Sequence, residues 1–340
     1  MRPSLFFTTS LSLSSHFLQS RAVRGLSSTT ALNAIKQTND GTVIISPESQ
    51  HSATVILCHG LGDTANGWVE PTQYLANQLP HVKWILPTAK TQPVTLNMGM
   101  SMPSWYDIVG LDSRSSEFCN GLDESMERIL SLVENEVSGD DSSAATTDTA
   151  CVNPLDYSRI VLAGFSQGGA LALYTGMTQL RKQSNVGLGL AGITVMSGYL
   201  PRSKAFAIAA GSEKTPILHC HGEQDSVVPV QATALSKERV SSLLKEMGSW
   251  DENLYEVKTY PGLDHSVAIE ELNDVAAFLK RVIPPIDTKT DEARKDDEVD
   301  PTKMNVKQLR AEIEKRGLKE EARGMIEKSE LVNLLLKNQK

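Results

Sequence analysis

Long apolar runs are missing from this 340-residue chain, and nothing in it approaches the ~20 apolar residues that a membrane-spanning helix needs. Cysteine is scarce. The four present, Cys58, Cys119, Cys151 and Cys220, show neither metal-ligand spacing nor a disulfide framework. Cys58 and Cys220 lie in apolar, strand-like runs, where a free thiol behaves as a small hydrophobe. A reducing, intracellular setting is therefore expected. An excess of positive charge is also absent: the formal net charge of -8 argues against a nucleic-acid-binding main body.

Acidic residues are lacking altogether before Asp40, whereas Arg2, Arg21, Arg24, Lys36 and many Ser and Thr precede it. That is the composition of a mitochondrial or plastid transit peptide. A secretory signal would need an apolar run of roughly 7–15 residues, and Leu5-Phe6-Phe7 is interrupted at once by Thr8-Thr9-Ser10. Residues 1–40 are expected to be a targeting or disordered segment outside the fold, with a cytoplasmic location as the alternative.

Beyond Asp40 the chain is patterned. Short β-branched or apolar runs occur at 42–46, 54–58, 82–86, 159–163, 193–196, 217–220 and 255–260. Several are nearly continuous, as strands covered on both faces of a parallel sheet should be. Helical periodicity lies between them; Leu122, Met126, Ile129, Leu130 and Val133 recur at spacings of three and four. Strands alternating with helices predict an α/β domain over 41–286 with a mostly parallel central sheet and helices on both faces. Residues 138–153, rich in Ser, Thr, Asp and Ala, read as a surface insertion. Residues 287–300 carry seven acids and three bases and read as a charged linker. Helical patterning returns over 301–340, with Val306, Leu309 and Ile313 in one segment and Leu331, Leu334 and Leu335 in another. Gly317 between them suits a C-cap. A small helical hairpin module is expected there.

The sharpest chemical signal is Gly164-Phe165-Ser166-Gln167-Gly168, directly after the run Ile160-Val161-Leu162-Ala163. Glycines on either side of a serine allow a tight strand-to-helix turn that exposes the hydroxyl. The small residues after it, Gly168-Gly169-Ala170, suit a helix packed closely on the sheet. A serine hydroxyl is a weak nucleophile and needs a base within hydrogen-bond reach. Partners of such an elbow come later in the chain, in the order acid, then His. His265 is the histidine that lies beyond the candidate acid region, in the loop Pro261-Gly262-Leu263-Asp264-His265-Ser266. Asp225, in His221-Gly222-Glu223-Gln224-Asp225 just past a strand, is the expected acid, with Glu223 and Asp264 as competitors. Its task would be to fix the His265 tautomer and stabilise the imidazolium. A histidine base also predicts a rate that falls below about pH 6.5. His219 and His221 read as strand-end packing or hydrogen-bonding residues.

A tetrahedral intermediate further needs donors for its oxyanion. The backbone N–H of Gln167, next after the nucleophile, is one candidate. The other is the N–H of Leu61, in the glycine-rich His59-Gly60-Leu61-Gly62-Asp63 that comes after an early strand. His59 is expected to brace that loop rather than act as a base.

Together these residues resemble the acyl-protein thioesterase and carboxylesterase/lysophospholipase family of the α/β-hydrolase fold. The resemblance rests on His59-Gly60-Leu61-Gly62-Asp63-Thr64 with Trp68, on Met102-Pro103-Ser104-Trp105-Tyr106-Asp107, and on Gly164-Phe165-Ser166-Gln167-Gly168-Gly169-Ala170. It continues in His221-Gly222 with Asp225 and Val228-Pro229, and in Gly262 with His265-Ser266. It covers roughly residues 42–286. The resemblance implies a Ser166–His265–Asp225 triad with Leu61 and Gln167 as oxyanion donors. It also implies release of palmitoyl or related acyl groups from protein cysteines, with side activity on lysophospholipids and simple esters. It implies no metal or organic cofactor. The segment 91–105, with Leu96, Met98, Met100 and Met102, is similar to the family loop beside the acyl channel, although a Met-rich stretch is as often ordinary core. Residues 197–201 match their family counterpart only in Leu200-Pro201.

The tail resembles an SAP-type hairpin through Val306-Lys307-Gln308-Leu309 and Lys315-Arg316-Gly317-Leu318. Its charges are interleaved as on a solvated helix, so a protein-contact or tethering module is preferred over nucleic-acid binding. The whole chain admits two rival readings. One is a general carboxylesterase or lysophospholipase; the other is a binding protein that acts through its tail.

Overall fold

In the computed structural model, which describes residues 34–110, 117–139, 154–182, 184, 186–286, 301, 304–315, 317–319, 321–325 and 327–337, each strand run read from the sequence is a strand. They are β2 (Val43–Ile45), β3 (Ala53–Cys58), β4 (Val82–Leu86), β7 (Ile160–Phe165), β8 (Gly192–Met196), β9 (Ile217–Gly222) and β10 (Tyr255–Tyr260). An additional strand, β1 (Ile35–Gln37), precedes them, and β5 (Thr91–Val94) with β6 (Met100–Pro103) forms a separate two-stranded hairpin. The large sheet has eight strands in the order β1-β2-β4-β3-β7-β8-β9-β10. From β4 to β10 neighbouring strands are parallel; β1 and β2 add an antiparallel edge.

The β1 strand corrects the expectation that residues 1–40 lie outside the fold. Ile35 pairs with Ile45 and Gln37 with Val43. All three β1 side chains are exposed, so no hydropathy pattern announces the strand. Residues before 34, where the transit-peptide reading chiefly falls, lie outside the described residues, as do 140–153 of the expected insertion and the acidic stretch 287–300.

Side chains alternate across the sheet with period two. In β3, Ile56 and Cys58 enter one core, and Val55 and Leu57 enter the other. The first core is closed by α2 (Leu122–Ser138), α3 (Gln167–Thr178) and α4 (Gln231–Glu246); the second by α1 (Val69–Ala76) and α5 (Ile269–Val282). The periodic residues Leu122, Met126, Ile129, Leu130 and Val133 of α2 are all buried, as their spacing predicts. A three-layer arrangement of this kind protects the backbone of every inner strand from water.

Strand order also locates the crevice. The chain leaves β3 for β4 on one side, and β7 lies on the other. Loops after β3 and β7 therefore diverge, and in open parallel sheets ligands bind at this switch point, beyond the carboxyl ends of the strands.

The chain divides into two compact units, the first ending at Pro285 and the second beginning at Ile286. In the second unit, α6 (Val306–Lys315) and α7 (Lys328–Lys337) share a small core of Leu309, Ile313, Ala322, Leu331 and Leu335. Asn305 and Gln308 exchange side-chain-to-backbone hydrogen bonds of 2.9 Å, a reciprocal cap at the start of α6. At its end, Gly317 has φ +73°, and the bonds Gly317 N–H to Glu314 O and Leu318 N–H to Ile313 O close a Schellman motif. The expected C-cap is there.

Candidate active site

The turn from β7 into α3 forces Ser166 to φ +52°, ψ -117°, a conformation that costs a residue with a side chain roughly 1–3 kcal/mol. The flanking glycines make the turn possible. A Cβ on Gly164 would sit 2.3 Å from the Gly168 carbonyl carbon, and one on Gly168 would sit 2.2 Å from the Cys58 carbonyl oxygen. Helix and strands therefore touch backbone to backbone at these two positions. Gly169, one residue on, likewise approaches Gly164, its would-be Cβ lying 2.9 Å from that carbonyl oxygen.

Three side chains separated widely in sequence meet beside this turn. His265 Nε2 lies 2.9 Å from Ser166 Oγ, and His265 Nδ1 lies 2.7 Å from Asp225 Oδ2. Ser166 and Asp225 are both buried. The Phe165 ring packs on the imidazole of His265, with centroids 4.9 Å apart, and limits its rotation. The other oxygen of Asp225 accepts the backbone N–H groups of Val227 at 2.9 Å and Val228 at 2.8 Å. Burial pushes the Asp225 carboxyl up. Contacts from His221 and His265, the charge of His265 and the Val228 N–H together outweigh it and hold the group well below the usual carboxylate range. The rival acids point elsewhere. Glu223 accepts from Thr259 Oγ1 at 2.9 Å, and Asp264 accepts from the Ser266 hydroxyl.

The expected oxyanion loop lies against the elbow. A Cβ on Gly60 would come 3.1 Å from the Phe165 ring and 3.6 Å from Ser166 Cβ, so a larger residue here would press on the ring beside the elbow. Leu61 comes next, buried, and Gly62 at φ +78° donates its N–H to the Pro103 carbonyl over 2.8 Å. Gln167 opens α3, where a first-turn N–H has no carbonyl partner within the helix.

His59 braces this loop, as expected. Its Nε2 accepts the Ala89 N–H at 2.9 Å, which leaves the ring proton on Nδ1 to donate to the Gly60 carbonyl at 2.6 Å. Burial lowers its pKa to about 4, so the ring is neutral at pH 7. The carbonyl of His59 accepts the Trp105 indole N–H at 2.8 Å.

One contribution goes beyond what the sequence assigns to Gln167, whose backbone N–H alone is expected to act: that of its side chain. It is completely buried, donates to the Tyr106 carbonyl at 2.7 Å and to Ser104 Oγ at 3.1 Å, and accepts the Trp105 N–H at 3.0 Å. A lone amide opening a helix of small and apolar residues is the signal that could have found it. The segment 91–105 forms the β5–β6 hairpin and also gives Val94 and Trp105 to the core. Met98 and Met100 are 77% and 48% exposed, while Leu96 and Met102 are partly buried against the α2/α3 core. Among the described residues no group of three or more His, Cys, Asp or Glu is arranged to hold a metal ion.

Comparison with known proteins agrees with this geometry. A family model described as Phospholipase/Carboxylesterase matches residues 39–283 and so does not extend to the helical pair. Acyl-protein thioesterase 1 of Mycosarcoma maydis is 39% identical over 250 residues, covering 72% of this chain and 97% of that protein. The protein of the same name from Gibberella zeae is also 39% identical over 250 residues, covering 70% and 93%. The crystal structure of Zea mays acyl-protein thioesterase 2 superposes with a TM-score of 0.54 at 27% identity, over 71% of this chain and 98% of that one. The chain thus belongs to the phospholipase/carboxylesterase family within the α/β-hydrolase fold, and it is a serine hydrolase.

Proposed function

We propose that this protein hydrolyses acyl thioesters of protein cysteines, and related oxygen esters, with Ser166 as nucleophile, His265 as general base and acid, and Asp225 as the group that orients His265. The observation that carries the reading is the unbroken line Ser166 Oγ, His265 Nε2, His265 Nδ1, Asp225 Oδ2, with separations of 2.9 and 2.7 Å. Relatives named acyl-protein thioesterase supply the substrate class.

As Ser166 Oγ attacks the acyl carbonyl, its proton passes to His265 Nε2. The carbonyl oxygen becomes an oxyanion, which the N–H groups of Leu61 and Gln167 receive; one such donor is worth about 2.7–4 kcal/mol of barrier. Collapse of the intermediate breaks the carbon–sulfur bond, and His265 returns the proton to the departing cysteine sulfur. Water then attacks the acyl-serine, giving a proton to His265, and the second collapse releases the fatty acid and restores the Ser166 hydroxyl. Asp225 stays ionised throughout and stabilises the imidazolium.

Two measurements test the reading. A fluorophosphonate should label the chain at Ser166, and Ser166→Ala should abolish both label and turnover; labelling that survives the substitution overturns the assignment. A palmitoylated peptide should exceed its oxygen-ester counterpart in kcat/KM. The opposite order would make the chain a carboxylesterase or lysophospholipase using the same residues.

A further inference from the structure

A second histidine lies against the carboxylate of the triad. His221, next to last in β9, is completely buried. Its Nε2 is 2.8 Å from the Val228 carbonyl and 3.3 Å from Asp225 Oδ2, the oxygen that also faces His265. Carbonyls only accept, so Nε2 carries the proton of the neutral ring. The shorter arm of that shared proton goes to Val228 and the longer one to the carboxylate.

Behind it the hydrogen bonds form a continuous chain with one consistent set of protons. His221 Nδ1 is an acceptor and meets Thr233 Oγ1 at 2.8 Å. Thr233 Oγ1 lies 3.3 Å from His219 Nε2, which also donates to the Gly198 carbonyl at 3.2 Å. His219 Nδ1 then accepts the Tyr255 hydroxyl at 2.9 Å. His219, Thr233 and Tyr255 are all buried. Each group has its partner, and reversing any one tautomer would leave a carbonyl facing a bare ring nitrogen.

We propose that His221 is a positioning residue for Asp225, with its tautomer set by Thr233, His219 and Tyr255. It acts by two routes. Its bond to the Val228 carbonyl holds the residue whose own N–H, one peptide earlier, donates to Asp225 Oδ1 at 2.8 Å, and its longer contact places a donor beside Oδ2. Both routes keep the carboxylate ionised and aimed at His265 while the imidazolium exists. Buried networks of this type are unforgiving, because a lost partner leaves a desolvated polar group behind. Two other titratable groups face Asp225: His265 itself, and Glu271 from α5, which is neutral below about pH 8 because burial raises its pKa.

This role rests on the triad reading, and the test separates the two. Fluorophosphonate titration counts competent sites first; failure of wild type to label at Ser166 refutes the triad, not His221 alone. Rates per titrated site are then compared over pH 5–7.5 for His221→Phe, which keeps a ring without a donor, and His221→Gln, which returns a donor near the Nε2 position. His221→Phe should lower kcat about tenfold to hundredfold. KM should stay nearly constant, and the acid limb of kcat should move to higher pH, because a carboxylate with fewer donors is more basic. His221→Gln should recover most of the lost rate. If His221→Phe does not fold, Thr233→Val reads the same chain and should lower kcat severalfold with the same displacement of the limb. A wild-type rate per site in the donor-less variant overturns the proposal. So does a lowered rate with an unmoved acid limb, which would mean that His221 acts through packing alone.

Discussion

Gln167 and Trp105, 62 residues apart in sequence, are joined by a 3.0 Å hydrogen bond from the Trp105 backbone N–H to Gln167 Oε1. The residue next after Ser166 thus uses its side chain to hold the 104–106 loop while its backbone N–H remains at the head of α3.

That division of labour can be tested. Gln167→Leu keeps the main-chain N–H but leaves the Trp105 N–H without its present partner in a buried site, while the Tyr106 carbonyl keeps the Ser104 hydroxyl at 2.6 Å. An unpaired buried donor costs about 1–3 kcal/mol, so the variant should lose roughly 1–3 kcal/mol of stability in thermal or urea unfolding. Fluorophosphonate labelling of Ser166 should persist at low temperature. An unchanged melting temperature would mean that water replaces the amide without cost.

The elbow makes a prediction about strain. At φ +52° Ser166 occupies backbone space suited to glycine. Ser166→Gly and Ser166→Ala should both be inactive, but the glycine variant should be the more stable of the two by about 1 kcal/mol. Comparing their melting temperatures decides it; an alanine variant equal to or above the glycine one would mean that the turn stores no strain.

Asp225→Asn should fold and remain nearly inert. The amide preserves the shape of the side chain but favours the wrong tautomer of His265, a change expected to lower kcat by about 10⁴-fold. A loss of less than about tenfold would move the orienting role to another group.

Stability should fall on the alkaline side because of Glu271. This carboxyl is completely buried in α5, and neither oxygen makes a hydrogen bond of normal geometry. Burial raises its pKa from 4.5 to about 8, and the Ala268 N–H offsets this only in part. A carboxyl with a raised folded-state pKa contributes fully below its unfolded value and loses that contribution as pH climbs through about 8. Glu271→Gln should match wild type near pH 5 and exceed it by on the order of 2–4 kcal/mol at pH 9. Parallel stability curves for the two proteins would refute the assignment.

Two buried histidines act in the opposite direction. Burial lowers His59 to about 4 and His219 to about 3, the latter helped by nearby His221. Both bind fewer protons folded than unfolded, so their contribution is complete above pH 6.5 and drains away as pH falls through 4. Acid should therefore destabilise the protein between these limits, and His59→Gln should flatten part of that slope in urea unfolding measured from pH 7 to 4. A slope unchanged by this substitution would mean that His59 is as easily protonated in the fold as outside it.

Much of the fold was legible because its signals are local. Continuous apolar runs marked strands β2 to β4 and β7 to β10, and threefold and fourfold spacing marked α2. The elbow was readable because a sharp turn between strand and helix tolerates little besides glycine, and the order of serine, acid and histidine narrowed the partners to a few residues. The choice of Asp225 over Glu223 was less secure in sequence, since both sit just past the same strand. In the structure the two differ in direction: Asp225 turns inward to His265 and Glu223 outward to Thr259.

By itself the amino-acid sequence determined which segments bury apolar surface, where the chain must bend, and which residue types were available for acyl transfer. Only the tertiary structure decided that β4 and β7 lie on opposite sides of β3, that Ile35–Gln37 extends the sheet, that the Gln167 side chain holds the 104–106 loop, and which partners His59 and His221 bond. The reason is physical. Hydrophobic periodicity reports the water or core beside each residue along the chain, whereas a buried polar group is satisfied by whichever distant carbonyl or N–H the completed packing delivers.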